Sequence, residues 1–310
     1  MISRRNIRVK VMQTLYTLNT VDSGQQASDP VRLLKKQIDA SGKLFIYLLY
    51  VLTEVARYSE KDAVKRAAKN LPNAQDLNVN IKLSGNEYLW KIVESPSFIK
   101  AIEDEKPNLV EDTSTMIRKI YNELTQTEEY VKYIQAQGRD KKSEKDIIVY
   151  IFTDMMLPSE SFTDHVEEHF TNWDDDAEMM NQLMLNYLQK PASYNLQNMV
   201  SEEKWSFAKN LLVTTRDKRP YSLELIKPKL KNWDAERIAV LDMILMEMGV
   251  CELLFFETIP TKVTINEYID LAKAYSTPQS GQFVNGILDS IHKELASQDK
   301  IHKVNFKQKA

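Results

Sequence analysis

The segment IPTKVTINEYIDLAKAYSTPQSGQFVNGIL (Ile259–Leu288) decides the fold class. Ile265, Ile269 and Ala272 recur at the spacing that lays apolar groups along one face of an α-helix. Thr264-Ile265-Asn266-Glu267 has the Thr-x-x-Glu form of a capping box, which predicts a helix start at that point. Thr277-Pro278 predicts the next start, because proline suits the first helical position, and Val284, Ile287, Leu288 and Ile291 supply its apolar stripe. Just upstream, Ile238, Leu241, Leu245, Met248 and the run from Leu253 to Phe256 predict a helix apolar on most sides. Such a helix must be buried, so it is the expected core.

At the other end stands ISRRNIRVKVMQTLY, with Arg4, Arg5, Arg8 and Lys10 and no acidic residue. Ile7, Val11, Leu15 and Leu18 make it an amphipathic helix with its cations near the start. The helix dipole disfavours positive charge there by about 0.3–1 kcal/mol per exposed residue. Two readings of the cluster follow: a solvated, frayed end, or an arginine-rich grip that pairs with RNA phosphates and stacks on bases. A net charge of −3 over 310 residues does not oppose the second, because binding responds to the local patch. The segment lacks the apolar core of a secretory signal, whereas an organellar transit peptide shares its composition.

Between these ends, SGQQASDP (Ser23–Pro30) reads as a loop, and helical patterns separated by prolines follow to about residue 190. They include Ile117, Ile120, Tyr121 with Leu124, and Met180, Leu183, Met184 with Tyr187. LFIYLLYVL (Leu44–Leu52) is too short for a bilayer, which needs about 20 apolar residues, and suits a buried helix. GRDKKSEKD (Gly138–Asp146) reads as a solvated charged stretch and WDDD (Trp173–Asp176) as an acidic helix start. Seven glycines and ten prolines favour long helices over sheets with tight turns. The single cysteine, Cys251, among apolar neighbours, suits a buried thiol in a reducing compartment, so a cytoplasmic protein with no membrane association is expected.

Catalytic patterns are weak. His165-Val166-Glu167-Glu168-His169 fits a zinc-protease signature, but no third ligand is nominated, and both histidines fit the wet face of a helix whose buried side is Phe162, Val166 and Phe170. Four histidines in all, two of them near the C-terminus, nominate no Ser/His/Asp or Cys/His arrangement, and no glycine-rich phosphate loop occurs. The expectation is a protein that is not an enzyme, with no metal and no cofactor.

The segments Arg4–Tyr16 and Ile259–Leu288, joined by ELIKPKLKNWDAERIAVLDMILMEMGVCEL (Glu224–Leu253), resemble the NusB transcription antitermination family. The Pro-x-Lys-Val-x-Ile-Asn-Glu core and the Phe-Val-Asn-Gly-Ile-Leu ending are the most specific features, and the similarity covers residues 1–20 and 200–295. The resemblance implies an all-α fold of two helical bundles, with an additional helical insertion in this chain. It implies binding of boxA-type single-stranded RNA together with ribosomal protein NusE, within a transcription elongation complex that supports ribosomal RNA transcription. Arg4, Arg5 and Arg8 match positions in the family's RNA-contacting motif, with Lys10 beside them, and Phe283 matches an aromatic at the RNA surface. From the residues alone, Phe283 fits base stacking or core packing, and Lys262 fits an RNA contact or a solvated turn. Tyr16 and Asp242 match positions that face NusE, and each also fits ordinary packing or a surface charge. Asn285 and Gly286 read as structural, the glycine permitting a close helix approach.

The sequence departs from the family at Asn6, Glu247, Cys251, Gln279 and Gly281-Gln282, and above all in length. The expected organisation is a first helix at 1–20, a helical insertion or extended bundle at 21–195, a NusB-like helical domain at 196–298 and a basic flexible tail at 299–310. A helical protein-interaction scaffold without RNA binding is the alternative function. An accessory domain related to RNA methyltransferases is the weaker one, since one cysteine and scattered glycines supply neither its nucleophile nor its cofactor site.

Overall fold

The computed structural model describes residues 2–20, 29–230 and 238–304. The loop expected at 23–30 lies outside these residues up to position 28, as does the tail from 305 to 310. Every regular element among the described residues is helical, so the protein is all-α. The chain divides into two compact units, Asp39–Met199 (the insert unit) and Ile2–Ile38 with Val200–Ala310 (the terminal unit). The α-helices in chain order are α1 (Arg4–Thr20), α2 (Pro30–Ala67), α3 (Ala74–Leu77), α4 (Glu87–Val93), α5 (Pro96–Glu105), α6 (Thr113–Leu124), α7 (Glu128–Gln135), α8 (Lys141–Tyr150), α9 (Glu160–His169) and α10 (Trp173–Gln189). They continue with α11 (Glu202–Asp217), α12 (Arg219–Ile226), α13 (Val240–Phe255), α14 (Thr261–Tyr275) and α15 (Ser280–Ser297). Among the described residues, no helix is long and apolar enough to cross a membrane.

In the insert unit, Leu44–Leu52 lies inside α2 and is buried on nearly every side, as its composition requires. Phe45 meets Tyr187 of α10 edge to face, with centroids 5.8 Å apart. The proline-marked breaks are real: Ser95 caps α5 ahead of Pro96, its hydroxyl accepting from the Phe98 N–H. Two readings of this region fail. The charged stretch at Gly138–Asp146 is not wholly solvated: Glu144 is buried and accepts from the Tyr133 hydroxyl (2.8 Å), Arg139 (3.0 Å) and the Glu87 N–H (2.6 Å). Those three donors replace the water it loses. Nor do both histidines of the zinc-like motif face water, since His165 is buried with Nε2 2.5 Å from the Tyr47 hydroxyl. Burial, and then His169, lowers its pKa. Among the described residues no group of three or more potential ligands could hold a metal.

In the terminal unit α13 is the core helix, with Ile244, Leu245, Met246, Met248, Val250, Cys251 and Leu253 buried under α1, α11, α12, α14 and α15. Burial pushes the Cys251 thiol up, and Ser222 and the Thr214 carbonyl are its polar neighbours. The close helix approach expected at Gly286 occurs instead at Gly249. A Cβ on Gly249 would lie 2.9 Å from Leu288 Cδ1, whereas one on Gly286 meets open space.

The capping-box reading is overturned. α14 begins at Thr261 with Pro260 as its N-cap, so Thr264 and Glu267 lie within the helix. Thr264 instead donates to Glu252 (2.9 Å) and Glu267 lies 3.5 Å from Arg8. A tertiary partner outcompetes the local cap because the buried Glu252 carboxylate needs donors. α15 likewise starts at Ser280, with Thr277-Pro278 in the preceding turn. The described end of the basic tail is anchored, since Lys303 donates to the Glu252 and Phe256 carbonyls at the end of α13 (2.9 and 2.8 Å) and the Val304 N–H to the Glu257 carbonyl.

Candidate nucleic-acid interface

The first turn of α1 is fixed rather than loose. Ile2 is buried and its carbonyl accepts from Lys204, while the Ser3 hydroxyl accepts from the Asn6 N–H. The four cations of the segment separate sharply. Arg4 and Arg5 remain substantially exposed, pairing with Glu203 (2.5 Å) and Asp270 (3.3 Å), both of which are themselves open to solvent. Arg4 also lies over the Phe207 ring, 5.6 Å from its centroid.

Arg8 and Lys10 are buried, which removes them from any surface grip. Arg8 forms a bidentate pair with Glu252, Nε to Oε2 at 2.9 Å and Nη2 to Oε1 at 2.8 Å. Its guanidinium also packs 5.3 Å from the Phe207 centroid. Burial alone would lower the Arg8 pKa, but Glu252, then Tyr268 and Glu267, hold it above its ordinary value. Tyr268 donates to the same carboxylate (3.1 Å), and burial pushes that phenol far up. Glu252 is therefore saturated by Arg8, Thr264 and Tyr268, and the network ties α1 to α13 and α14. Helical spacing signals this burial, because Arg8, Val11, Met12 and Leu15 share one face of α1.

The two ends of the chain meet through α14. Arg5 holds Asp270, Asp270 lies 4.0 Å from Lys273, and the Lys273 side chain crosses Gly281 in the first turn of α15. A Cβ at Gly281 would stand 2.6 Å from Lys273 Cγ, so glycine lets the lysine stem lie there. Phe283, half-buried, is two residues further along that turn. Lys262 is exposed and lies on one stripe with Asn266, Asp270 and Lys273, at i, i+4, i+8 and i+11 of α14. At 1.5 Å per residue it is about 12 Å along the helix from Asp270, at the far end of that stripe. Asp270 and Lys273 carry no motif signal in the sequence; their helical spacing from Lys262 and Asn266 is what marks them.

Tyr16 is exposed on α1. Asp242 is not: it is buried and accepts from the Ser280 hydroxyl (2.7 Å), clasping the start of α15 to α13. Its role is to hold the turn that presents Phe283. Gln282, Asn285 and Gly286 form an exposed edge of α15, so the structural reading of Asn285 and Gly286 does not hold. Glycine in an exposed helix costs about 1 kcal/mol relative to alanine. Gly286→Ala is accordingly expected to raise stability by up to about 1 kcal/mol in urea unfolding. A loss of stability would mean that the space around Gly286 is not open.

Comparison with known proteins finds the NusB family over residues 166–293. That span begins within α9 of the insert unit and does not include the arginine-rich start. The transcription antitermination protein NusB of Salinibacter ruber is 42% identical over 97 residues, covering 31% of this chain and 61% of its own. That of Fervidobacterium nodosum is 45% identical over 78 residues, covering 25% and 55%. A solved structure of T. maritima NusB shares 35% identity over 34% of this chain and 77% of its own, at a TM-score of 0.31. This chain thus spans less than two thirds of the length of the curated relatives it matches.

Proposed function

We propose, from the premise that residues 166–293 carry a NusB-family domain, that this protein is a non-enzymatic, RNA-binding transcription antitermination factor. It holds boxA-type single-stranded RNA together with ribosomal protein NusE in the cytoplasmic elongation complex and supports ribosomal RNA transcription. The observation that carries the reading is the unbroken line from Arg5 through Asp270 and Lys273 to the first turn of α15. In this reading a single strand runs along the exposed cations and meets the half-buried ring of Phe283.

Arg4 and Arg5 are held by exposed carboxylates, and surface pairs of this kind are worth about 0–1 kcal/mol. Exchange of Glu203 or Asp270 for a phosphate is therefore cheap. Arg8 contributes from below: its bond to Glu252 fixes α1, and hence the two arginines, against α13 and α14. Phe283 offers a ring on which a base can stack for about 1–3 kcal/mol. Lys262 extends the cationic stripe. Tyr16 and the bare Asn285-Gly286 edge are the surfaces offered to the protein partner.

An Arg4→Ala/Arg5→Ala variant is expected to stay folded while its logarithmic salt slope for a boxA-type oligonucleotide falls by about 1.4, at about 0.7 per phosphate contacted. Fluorescence anisotropy over a salt series reads this. An unchanged slope and affinity would favour the scaffold reading, which the carboxylate partners of both arginines keep open; retention of NusE with the variant then defines that scaffold.

A further inference from the structure

The insert unit, which the RNA reading leaves unused, contains a polar recess of about 230 Å³ between α2 and the start of α6. Lys61, Lys65 and Arg118 line it together with Ser114 and Thr115, and Glu54 is its carboxylate. Glu54 is already held by Lys61 at 2.7 Å and by Arg57 at 3.1 Å. Among the described residues Lys65 reaches only the Tyr58 hydroxyl (3.1 Å) and ring, and Arg118 has no carboxylate partner. The lining therefore has three cations against one anion, a surplus of two positive charges.

We propose that this recess binds a phosphate monoester carried by a small molecule. Charge selects the ligand class. A phosphate monoester carries about −1.5 to −2 at neutral pH, which matches the surplus, while each phosphodiester of an RNA strand brings only one negative charge. Size agrees, since the recess lies below the usual range of drug-sized pockets, about 300–1,000 Å³. Shape agrees as well, because the cations converge on one concavity rather than lying along an open groove, as a strand requires. The guanidinium of Arg118 is the planar fork that suits bidentate phosphate recognition, with the lysines as point charges around it. Ser114 and Thr115 add hydroxyls in the first turn of α6. Asp112, the residue before α6, makes no side-chain capping bond there and is not among the residues that line the recess.

Calorimetric titration of the full chain at low ionic strength tests this with inorganic phosphate, a nucleoside monophosphate and an RNA oligonucleotide lacking terminal phosphates. Phosphate and the nucleoside monophosphate are expected to bind, and Arg118→Gln and Lys61→Gln are each expected to weaken both by about tenfold, the worth of a charged hydrogen bond. Lys141→Gln, an exposed lysine at the start of α8, leaves binding unchanged. All three positions are exposed, and circular dichroism with an unchanged ligand-free melting temperature verifies folding. No binding by the parent protein, or binding that Arg118→Gln does not alter, overturns the proposal. So does equal binding of the phosphodiester oligonucleotide that the same variants abolish, which would make the recess a strand contact. The Arg4→Ala/Arg5→Ala variant retains phosphate binding, so this result stands or falls apart from the RNA reading.

Discussion

Arg8→Met is expected to destabilise the terminal unit by about 3–5 kcal/mol, the usual consequence of removing one partner from a buried ion pair. The cost is not the loss of a favourable contact alone. Glu252 is fully buried, and without the guanidinium its charge keeps, among the described residues, only the Thr264 and Tyr268 hydroxyls as donors. Arg8→Lys is expected to recover only part of the loss, since an ammonium cannot supply the two parallel bonds or lie flat against Phe207. Arg4→Ala is the contrast: its ion pair is exposed, and a change within about 0.5 kcal/mol is expected. Hydrogen exchange reads the effect by region, with amides of α1, α13 and α14 losing protection in Arg8→Met. Equal, small effects of Arg8→Met and Arg4→Ala would sink the claim that the two arginines belong to different environments.

Phe45→Ala is expected to cost the insert unit a similar amount, about 3–5 kcal/mol, through lost burial and the cavity left behind. Phe45 is completely buried and its ring meets Tyr187 edge to face. Exchange protection is expected to fall in α2 and α10, while the amides of α13 and α14 keep theirs. That pattern is the reverse of the one in Arg8→Met, as two units with separate cores require. Simultaneous loss of protection in all these helices would show one cooperative core instead.

The sequence shows much of this architecture through periodicity. The α6 stripe at Ile117, Ile120, Tyr121 and Leu124, the buried run at Leu44–Leu52 and the centre of α13 at Leu245, Met248 and Leu253 read correctly, because a face that must leave water imposes its own spacing; at the ends of that last pattern Ile238 precedes α13, Leu241 is half-buried and Phe255 is exposed. The errors share a cause. Thr264 and Glu267 match a local cap, Glu144 sits in a charged run, and Arg8 belongs to a basic cluster, yet each has a partner outside its local pattern: Glu252 for Thr264 and Arg8, Arg8 for Glu267, and the Glu87 N–H for Glu144. Residues 8 and 252 are brought together only by the packing of α1 on α13. A composition-based reading puts charges outside; a buried charge with a full set of donors is the exception.

For the candidate site, the chain alone specifies which helices exist, which of their faces are apolar, and that cations cluster before the first of those faces. Tertiary structure divides that cluster into two exposed arginines and two buried cations. It makes Asp242, a candidate for the partner surface, a buried clasp and exposes Gly286 rather than enclosing it. The physical reason is that solvent access and pairing depend on what a neighbouring helix brings up, and here the deciding neighbours, Glu252, Ser280 and Asp270, come from parts of the chain that no local pattern connects to the residues they hold.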